Sequence, residues 1–246
     1  MLLVLQMSNW PAIIAGMTTL VLLPGMDGTG TLYEPLHLAL NGKCKLLVVT
    51  YPVDQLLGYT ELEALVQARL PVDEDYILLG ESFSGPIAIS IAATRPVRLK
   101  ALILCATFAR NPYPWLAASK YALPYLPTRL APLSVLSHLL LGRFSSKELR
   151  RQLAGALAQV NPVSLKARLY AVLSCDVREK LKAIKVPVLY LQATRDRLVP
   201  ASAHAGIDKQ LHEMETCKYD APHFLLQTKA DEVAKDILRF TSEIKA

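Results

Sequence analysis

Three side chains in this sequence, Ser82, Asp196 and His223, can do nucleophilic chemistry together if the fold brings them close. Ser82 lies in "LLGESFSG" (78–85), where an apolar run breaks at Gly80 and resumes from Pro86 to Ala93. A serine on a turn from a strand into a buried helix is held exposed in a strained conformation, which needs small neighbours on both sides. Gly80 stands two residues before Ser82, and Ser84 followed by Gly85 stands two after. We read Ser84 as a small residue that lets strand and helix meet, and we assign Glu81 no chemical role. Asp196 falls in "QATRDRLVP" just after the apolar run Val186 to Leu191, and His223 falls in "DAPHFLL" just after a run ending at Tyr219. A histidine can take the serine proton, and a carboxylate can hold the imidazole in the correct tautomer. Each residue also has an ordinary reading: a Gly-Ser turn, an aspartate paired with Arg195 or Arg197, and a solvated histidine. Their common position behind three separate strand-like runs favours the chemical reading. Of the rival acids, Asp176 reads as the cap of the helix containing Leu181. Asp220 is too near His223 in sequence to come from another strand.

Attack on a carbonyl places negative charge on its oxygen, so two backbone N–H donors are needed as well. One is expected from Phe83, next to the serine. The other is expected from Met26 in "LPGMDGTG" (23–30), where three glycines let backbone approach closely. That loop lacks the Lys-Ser/Thr of a P-loop and the spacing of a dinucleotide fingerprint. No metal or cofactor is implied.

The elements that must position these residues follow from short β-branched and aliphatic runs at 18–23, 45–49, 76–79, 101–104, 186–191 and, more weakly, 216–219. Helical patterns lie between them. Thr60 with Glu63 reads as a capping box ahead of Leu62, Leu65, Val66 and Leu70, and Val233, Ile237, Phe240 and Ile244 line one face of the last helix. The alternation predicts an α/β fold with a mostly parallel sheet flanked by helices, its carboxyl edge carrying all three side chains. Residues 111–175 break the alternation, with no convincing strand and five prolines from Pro112 to Pro132, and read as a helical cap. The division is therefore a core of 18–110 and 176–246, a cap of 111–175, and residues 1–17 as an N-terminal extension or first edge element.

The cap holds eight basic residues against Glu148 alone, a net +7 in a chain of net charge +6. Arg143, Lys147, Arg150 and Arg151 within it suit an acidic partner such as acyl carrier protein or the phosphates of CoA, although a charged helix face is more often simply solvated. Trp115, Tyr121 and Tyr125 are expected either to contact an acyl chain as a lid or to pack the cap on the core. No motif points to nucleic acid. The 246 residues suit one sizeable domain, and no run reaches the ~18 apolar residues of a membrane span. Four widely spaced cysteines form neither a disulfide framework nor a zinc motif. The apolar N-terminus has no Lys or Arg before Lys43 and is interrupted by Asn9 and Pro11, unlike a signal peptide. A cytoplasmic protein is expected.

From about residue 18 onward, "LLPGMDGTG", "LLGESFSG", "LQATRDRLVP" and "APHFLLQ" together resemble the α/β-hydrolase superfamily, in which the triad follows the order Ser, Asp, His. Size and the single helical cap resemble small bacterial carboxylesterases, including those that cleave the methyl ester of pimeloyl-acyl carrier protein. Pro24-Gly25 stands where many relatives have His-Gly, and Ser84 replaces a glycine. The resemblance implies a serine carboxylic ester hydrolase working through an acyl-enzyme on a small to medium ester. A thioesterase or acyltransferase acting on acyl carrier protein or CoA substrates is the alternative, and a non-catalytic binding protein of the same fold is a third.

Overall fold

Aliphatic runs too short for helices form six strands: β1 (Thr19–Leu23), β2 (Lys45–Val48), β3 (Tyr76–Glu81), β4 (Leu99–Cys105), β5 (Val188–Ala193) and β6 (Met214–Tyr219). They make one parallel sheet in the order β2-β1-β3-β4-β5-β6. This computed structural model describes residues 18–125, 132–211 and 213–244, so the expectation for residues 1–17 lies outside the described residues. β5 begins two residues later than the sequence suggests, because Pro187 has no N–H to give a ladder; its carbonyl accepts from Leu102 N at 3.0 Å.

The two-residue period of β1 divides the core between the faces of the sheet. Val21 and Leu23 pack with Leu62 and Val66 of α2 (Tyr59–Gln67) and Ile87 of α3 (Gly85–Ala93). Leu20 and Leu22 pack with Leu36 of α1 (Glu34–Leu40) and, from the last helix (Ala230–Glu243), with Val233, Ile237 and Phe240. Ile244 follows the end of that helix rather than lying on its face, though it packs against the same cluster. The capping box expected at Thr60 and Glu63 is displaced. The helix starts at Tyr59, the Glu61 carboxylate accepts from Gly58 N at 3.0 Å, and Glu63 instead meets Lys180 at 3.4 Å. Gly58 has no side chain to accept from the N3 N–H, so only the Glu61 half of a box forms, two residues earlier than expected. α3 is buried from Gly85 to Ala92, as a helix crossing behind the central strands must be.

Between β4 and β5 the chain leaves and re-enters the core at neighbouring points. Arg110 and Asp176 form an antiparallel bridge, and Asn111 N donates to the Cys175 carbonyl at 2.9 Å. The excursion begins in two 3₁₀ segments, Pro114–Tyr121 and Leu123–Tyr125, the short form favoured where closely spaced prolines interrupt a longer helix. It continues as α4 (Leu133–Leu141), α5 (Lys147–Ala158) and α6 (Pro162–Leu173). Side-chain caps start the last two: Ser146 accepts from Leu149 N at 3.1 Å, and Asn161 accepts from Val163 N at 2.9 Å ahead of Pro162. Among the described residues no helix is long and apolar enough to cross a membrane, and no group of three His, Cys, Asp or Glu could hold a metal. All four cysteines are free.

Candidate active site

β3 ends at Glu81, and the next residue turns the chain into α3. Ser82 has φ of 50°, in the left-handed region that a residue with a side chain normally avoids. Its neighbours hold it there. A Cβ on Gly80 would lie 2.8 Å from Ala88 Cβ and 2.9 Å from the Ser84 carbonyl, while a Cβ on Gly85 would collide with the Thr107 side chain. Thr107 Oγ1 donates to the Ser82 carbonyl, so a residue just past the end of β4 fixes the turn. Glycine is therefore required at 80 and 85, and position 84 admits a side chain.

Ser84 is more than a spacer, contrary to the sequence reading. Its hydroxyl is fully buried, donates to the Pro24 carbonyl and meets Tyr51 OH at 2.5 Å. It thereby ties the serine turn to the loop after β1.

The three side chains meet at the carboxyl edge of the sheet. Ser82 Oγ lies 2.7 Å from His223 Nε2, and His223 Nδ1 lies 2.6 Å from Asp196 Oδ2. The other Asp196 oxygen accepts from Leu198 N at 2.7 Å and Val199 N at 2.9 Å, which points the carboxylate at the ring. The His223 and Asp196 side chains are only 6 % and 3 % exposed, so their attraction is poorly screened. Burial alone would lower the His223 pKa, but the Asp196 charge and hydrogen bond, with Glu81 nearby, raise it on balance. The ordinary partners proposed for Asp196 are engaged elsewhere: Arg195 pairs with Asp220 at 2.7 Å, and Arg197 donates to the His138 carbonyl at 3.1 Å. Asp220 also holds Arg143 at 2.6 Å, and Asp176 binds the Arg178 side chain and its N–H, the latter at 3.3 Å, so neither rival acid faces the histidine.

Met26 sits in the loop after β1, where five successive carbonyls are held. Leu23 O accepts from Tyr33 OH at 2.7 Å, Pro24 O from Ser84, and Gly25 O from Gly28 N at 3.0 Å. Met26 O and Asp27 O both accept from Arg168 Nη1, each at 2.7 Å. The Met26 N–H donates to no backbone acceptor among the described residues, and the Phe83 N–H is in the first turn of its helix, where no intrahelical acceptor exists.

The remaining expected residues are exposed. Trp115, Tyr121 and Tyr125 are 76 %, 69 % and 89 % exposed, with Lys120 Nζ 5.3 Å above the Tyr121 ring. Arg143, Lys147, Arg150 and Arg151 are all exposed, and Arg151 pairs with Glu148 at 2.8 Å. Hollows of about 240 Å³ beside Arg110 and Arg178, and about 250 Å³ against Thr18 and Ile237, are lined by none of the triad residues. Sequence reasoning missed Tyr51, Thr107 and Arg168, because a tyrosine, a threonine after a strand and an arginine on a basic helix each carry an ordinary reading.

The geometry at Ser82 agrees with the likeness of the whole chain. A model of the alpha/beta hydrolase family matches residues 20–236. The chain belongs to that family. It is 27 % identical over 241 residues to a pimeloyl-[acyl-carrier protein] methyl ester esterase of Vibrio parahaemolyticus, covering 91 % of this hydrolase and 94 % of that relative. It is 28 % identical over 251 residues to phytyl ester synthase 1, chloroplastic, of Arabidopsis thaliana, covering 85 % of this chain but 34 % of that longer protein. Among solved structures, a thermophilic esterase from Thermogutta terrifontis superposes with a TM-score of 0.80 at 17 % identity, over 94 % of this hydrolase and 92 % of the other chain.

Proposed function

We propose that this hydrolase is a serine carboxylesterase, with Ser82 as nucleophile, His223 as general base and acid, and Asp196 as the group that orients and stabilises the imidazole. The single observation that carries this reading is the unbroken Ser82–His223–Asp196 hydrogen-bond chain ending on a serine held at φ 50°. The serine proton passes to His223 Nε2 as Oγ attacks the ester carbonyl. The Met26 and Phe83 N–H groups receive the developing oxyanion, His223 returns the proton to the leaving alcohol, and water repeats the sequence on the acyl-enzyme. No step calls for a metal or cofactor. Trp115, Tyr121 and Tyr125 would contact the bound acyl or alcohol part, and Arg150 with Lys147 would meet an acidic carrier, as the named substrate of the Vibrio relative suggests.

The relative named as a phytyl ester synthase supports a second reading, in which an alcohol replaces water at the acyl-enzyme. The test is labelling by a fluorophosphonate probe, followed by a panel of short and long acyl esters, thioesters and acyl-carrier methyl esters with and without added alcohol. Labelling of the wild type and not of Ser82→Ala, with release of free acid, is the expected result. Transfer to the alcohol in preference to water would move the assignment to acyltransferase. Absence of any adduct on folded protein would remove the enzyme reading altogether.

A further inference from the structure

Arg168 is among the largest fully buried side chains of the described residues, only 1 % exposed, although it belongs to the helix of a strongly basic segment. It reaches from α6 of the cap into the core. Nη1 donates to Met26 O and Asp27 O, both at 2.7 Å, and Nη2 donates to Pro52 O at 2.7 Å, while its guanidinium carbon lies 5.7 Å from the Tyr51 ring centre. Its Nε is buried with no partner among the described residues. Among the described residues no carboxylate hydrogen-bonds it, though the Asp27 charge is near enough to act on it. A buried guanidinium hydrogen-bonded only to carbonyls is an expensive way to hold a helix in place, and apolar side chains would do that better.

We propose that Arg168 is a positioning residue for the ester chemistry, fixing from the cap the loop whose Met26 N–H receives the oxyanion. This rests on the triad reading given above. The peptide unit is planar and trans, so the Met26 N–H points opposite the Gly25 carbonyl. That carbonyl is fixed by Gly28 N, and the next two carbonyls, of Met26 and Asp27, are fixed by the Arg168 fork. With the plane on each side of Met26 held, its φ and ψ have no freedom left, and the N–H direction is set before substrate arrives. The loop is shaped around the fork: Gly28 has φ of 69°, and a Cβ there would lie 2.7 Å from Arg168 Nη1. Lysine cannot replace it, because a single ammonium cannot span the Met26–Asp27 pair and Pro52 from opposite ends of a rigid plane. The cap thus supplies part of the charge-stabilising apparatus, and removing its arginine affects the transition state more than ground-state binding.

The experiment compares wild type, Arg168→Met and Arg168→Lys. Saturation labelling with the fluorophosphonate probe counts competent Ser82 sites, and kcat is then expressed per labelled site. The expected result is a ten- to hundredfold loss of kcat per site in Arg168→Met, with KM within about twofold. An alkyl boronic acid, which forms an anionic tetrahedral adduct on the serine, should bind correspondingly weaker, and added guanidinium chloride at low millimolar concentration should restore part of the rate. Arg168→Lys should fall between the two, and it carries the test if the methionine variant does not fold. A merely structural arginine would give fewer labelled sites with wild-type kcat at each, and that result overturns the proposal. So would a loss confined to KM. If the wild type itself neither labels nor hydrolyses any ester, the triad reading fails and this inference falls with it.

Discussion

Replacing Glu81 by glutamine changes one charge beneath the candidate site while keeping size and shape. Glu81 closes β3 directly before Ser82 and is 8 % exposed. Burial, and then repulsion from Asp27, push its carboxyl from an ordinary 4.5 up to about 7, against smaller opposing effects of Gln227, His223 and Tyr33. Gln227 Nε2 donates to it at a long 3.3 Å, and Gln227 Oε1 is itself buried without a partner among the described residues, a setting that favours a proton on the carboxyl. Because the folded pKa lies above the unfolded one, the folded state binds the proton more tightly. The stability contributed by Glu81 is therefore fully present below pH 4.5, declines as pH rises towards 7, and is lost above that. At about 1.4 kcal/mol per tenfold change in proton affinity, a carboxyl carried from 4.5 to about 7 forfeits about 3 kcal/mol by pH 8. Glu81→Gln does not titrate and keeps that amount. Urea unfolding of both proteins from pH 4 to pH 8 should show the variant gaining on the wild type by about 3 kcal/mol. Glu81 also helps raise the His223 pKa, so the acid limb of kcat/KM should move to lower pH in the variant while the plateau rate holds. A stability difference that stays constant across this range would refute the reasoning, since removing the Glu81 carboxyl must remove its titration.

Three further substitutions test the site geometry. Asp196→Asn removes the largest influence raising the His223 pKa, so kcat/KM should fall by about a thousandfold or more and its acid limb should shift downward in a pH profile of the residual activity. Gly85→Ala drives a methyl group into Thr107 and should lose about 3 kcal/mol in urea unfolding, with Thr107→Ala restoring part of it in the double variant. Ser82→Gly should be inactive yet more stable than Ser82→Ala by about 1 kcal/mol in thermal unfolding, because glycine alone tolerates φ of 50° freely.

How far the site was legible depended on whether chemistry or packing chose the residue. Ser82, Asp196 and His223 could be read from sequence because each follows a run of apolar residues in a parallel sheet, and their order and types match one reaction. The sheet was legible for the same reason: both faces of β1 are buried, so it reads as an unbroken aliphatic run. Where the residue answers to a distant backbone, sequence had little to offer. Ser84 looks like a poor glycine until Pro24, sixty residues earlier, is seen to accept its hydroxyl. Arg168 looks like one more charge on a basic helix, since nothing local reveals the carbonyls more than a hundred residues away that receive it. At α2 only half of the expected box formed, two residues earlier, because the Gly58 N–H rather than a Thr60 side chain met a glutamate.

Departures from local preference are therefore informative by where they cluster. Among the described residues, three with side chains have positive φ: Ser82, Arg95 and Ala106. Arg95 lies just past the end of α3, where a left-handed residue commonly ends a helix. Ser82 and Ala106 have no such local excuse, and they are joined through Thr107, whose hydroxyl holds the Ser82 carbonyl. Within the same corner lie a buried carboxyl, Glu81, and a buried guanidinium, Arg168, neither hydrogen-bonded to an opposite charge among the described residues. Each such feature costs of order 1–3 kcal/mol, a substantial part of the roughly 5–15 kcal/mol that keeps a protein folded. Natural sequences retain such costs together where function requires a fixed geometry. Ordinary packing would have removed them one at a time, since Gly suits position 82, Gln position 81 and an aliphatic side chain position 168 at no loss to the fold. That argument points to the corner formed by Ser82, Glu81, Thr107 and Arg168 as a single working unit, with α6, which bears Arg168, as one of its members.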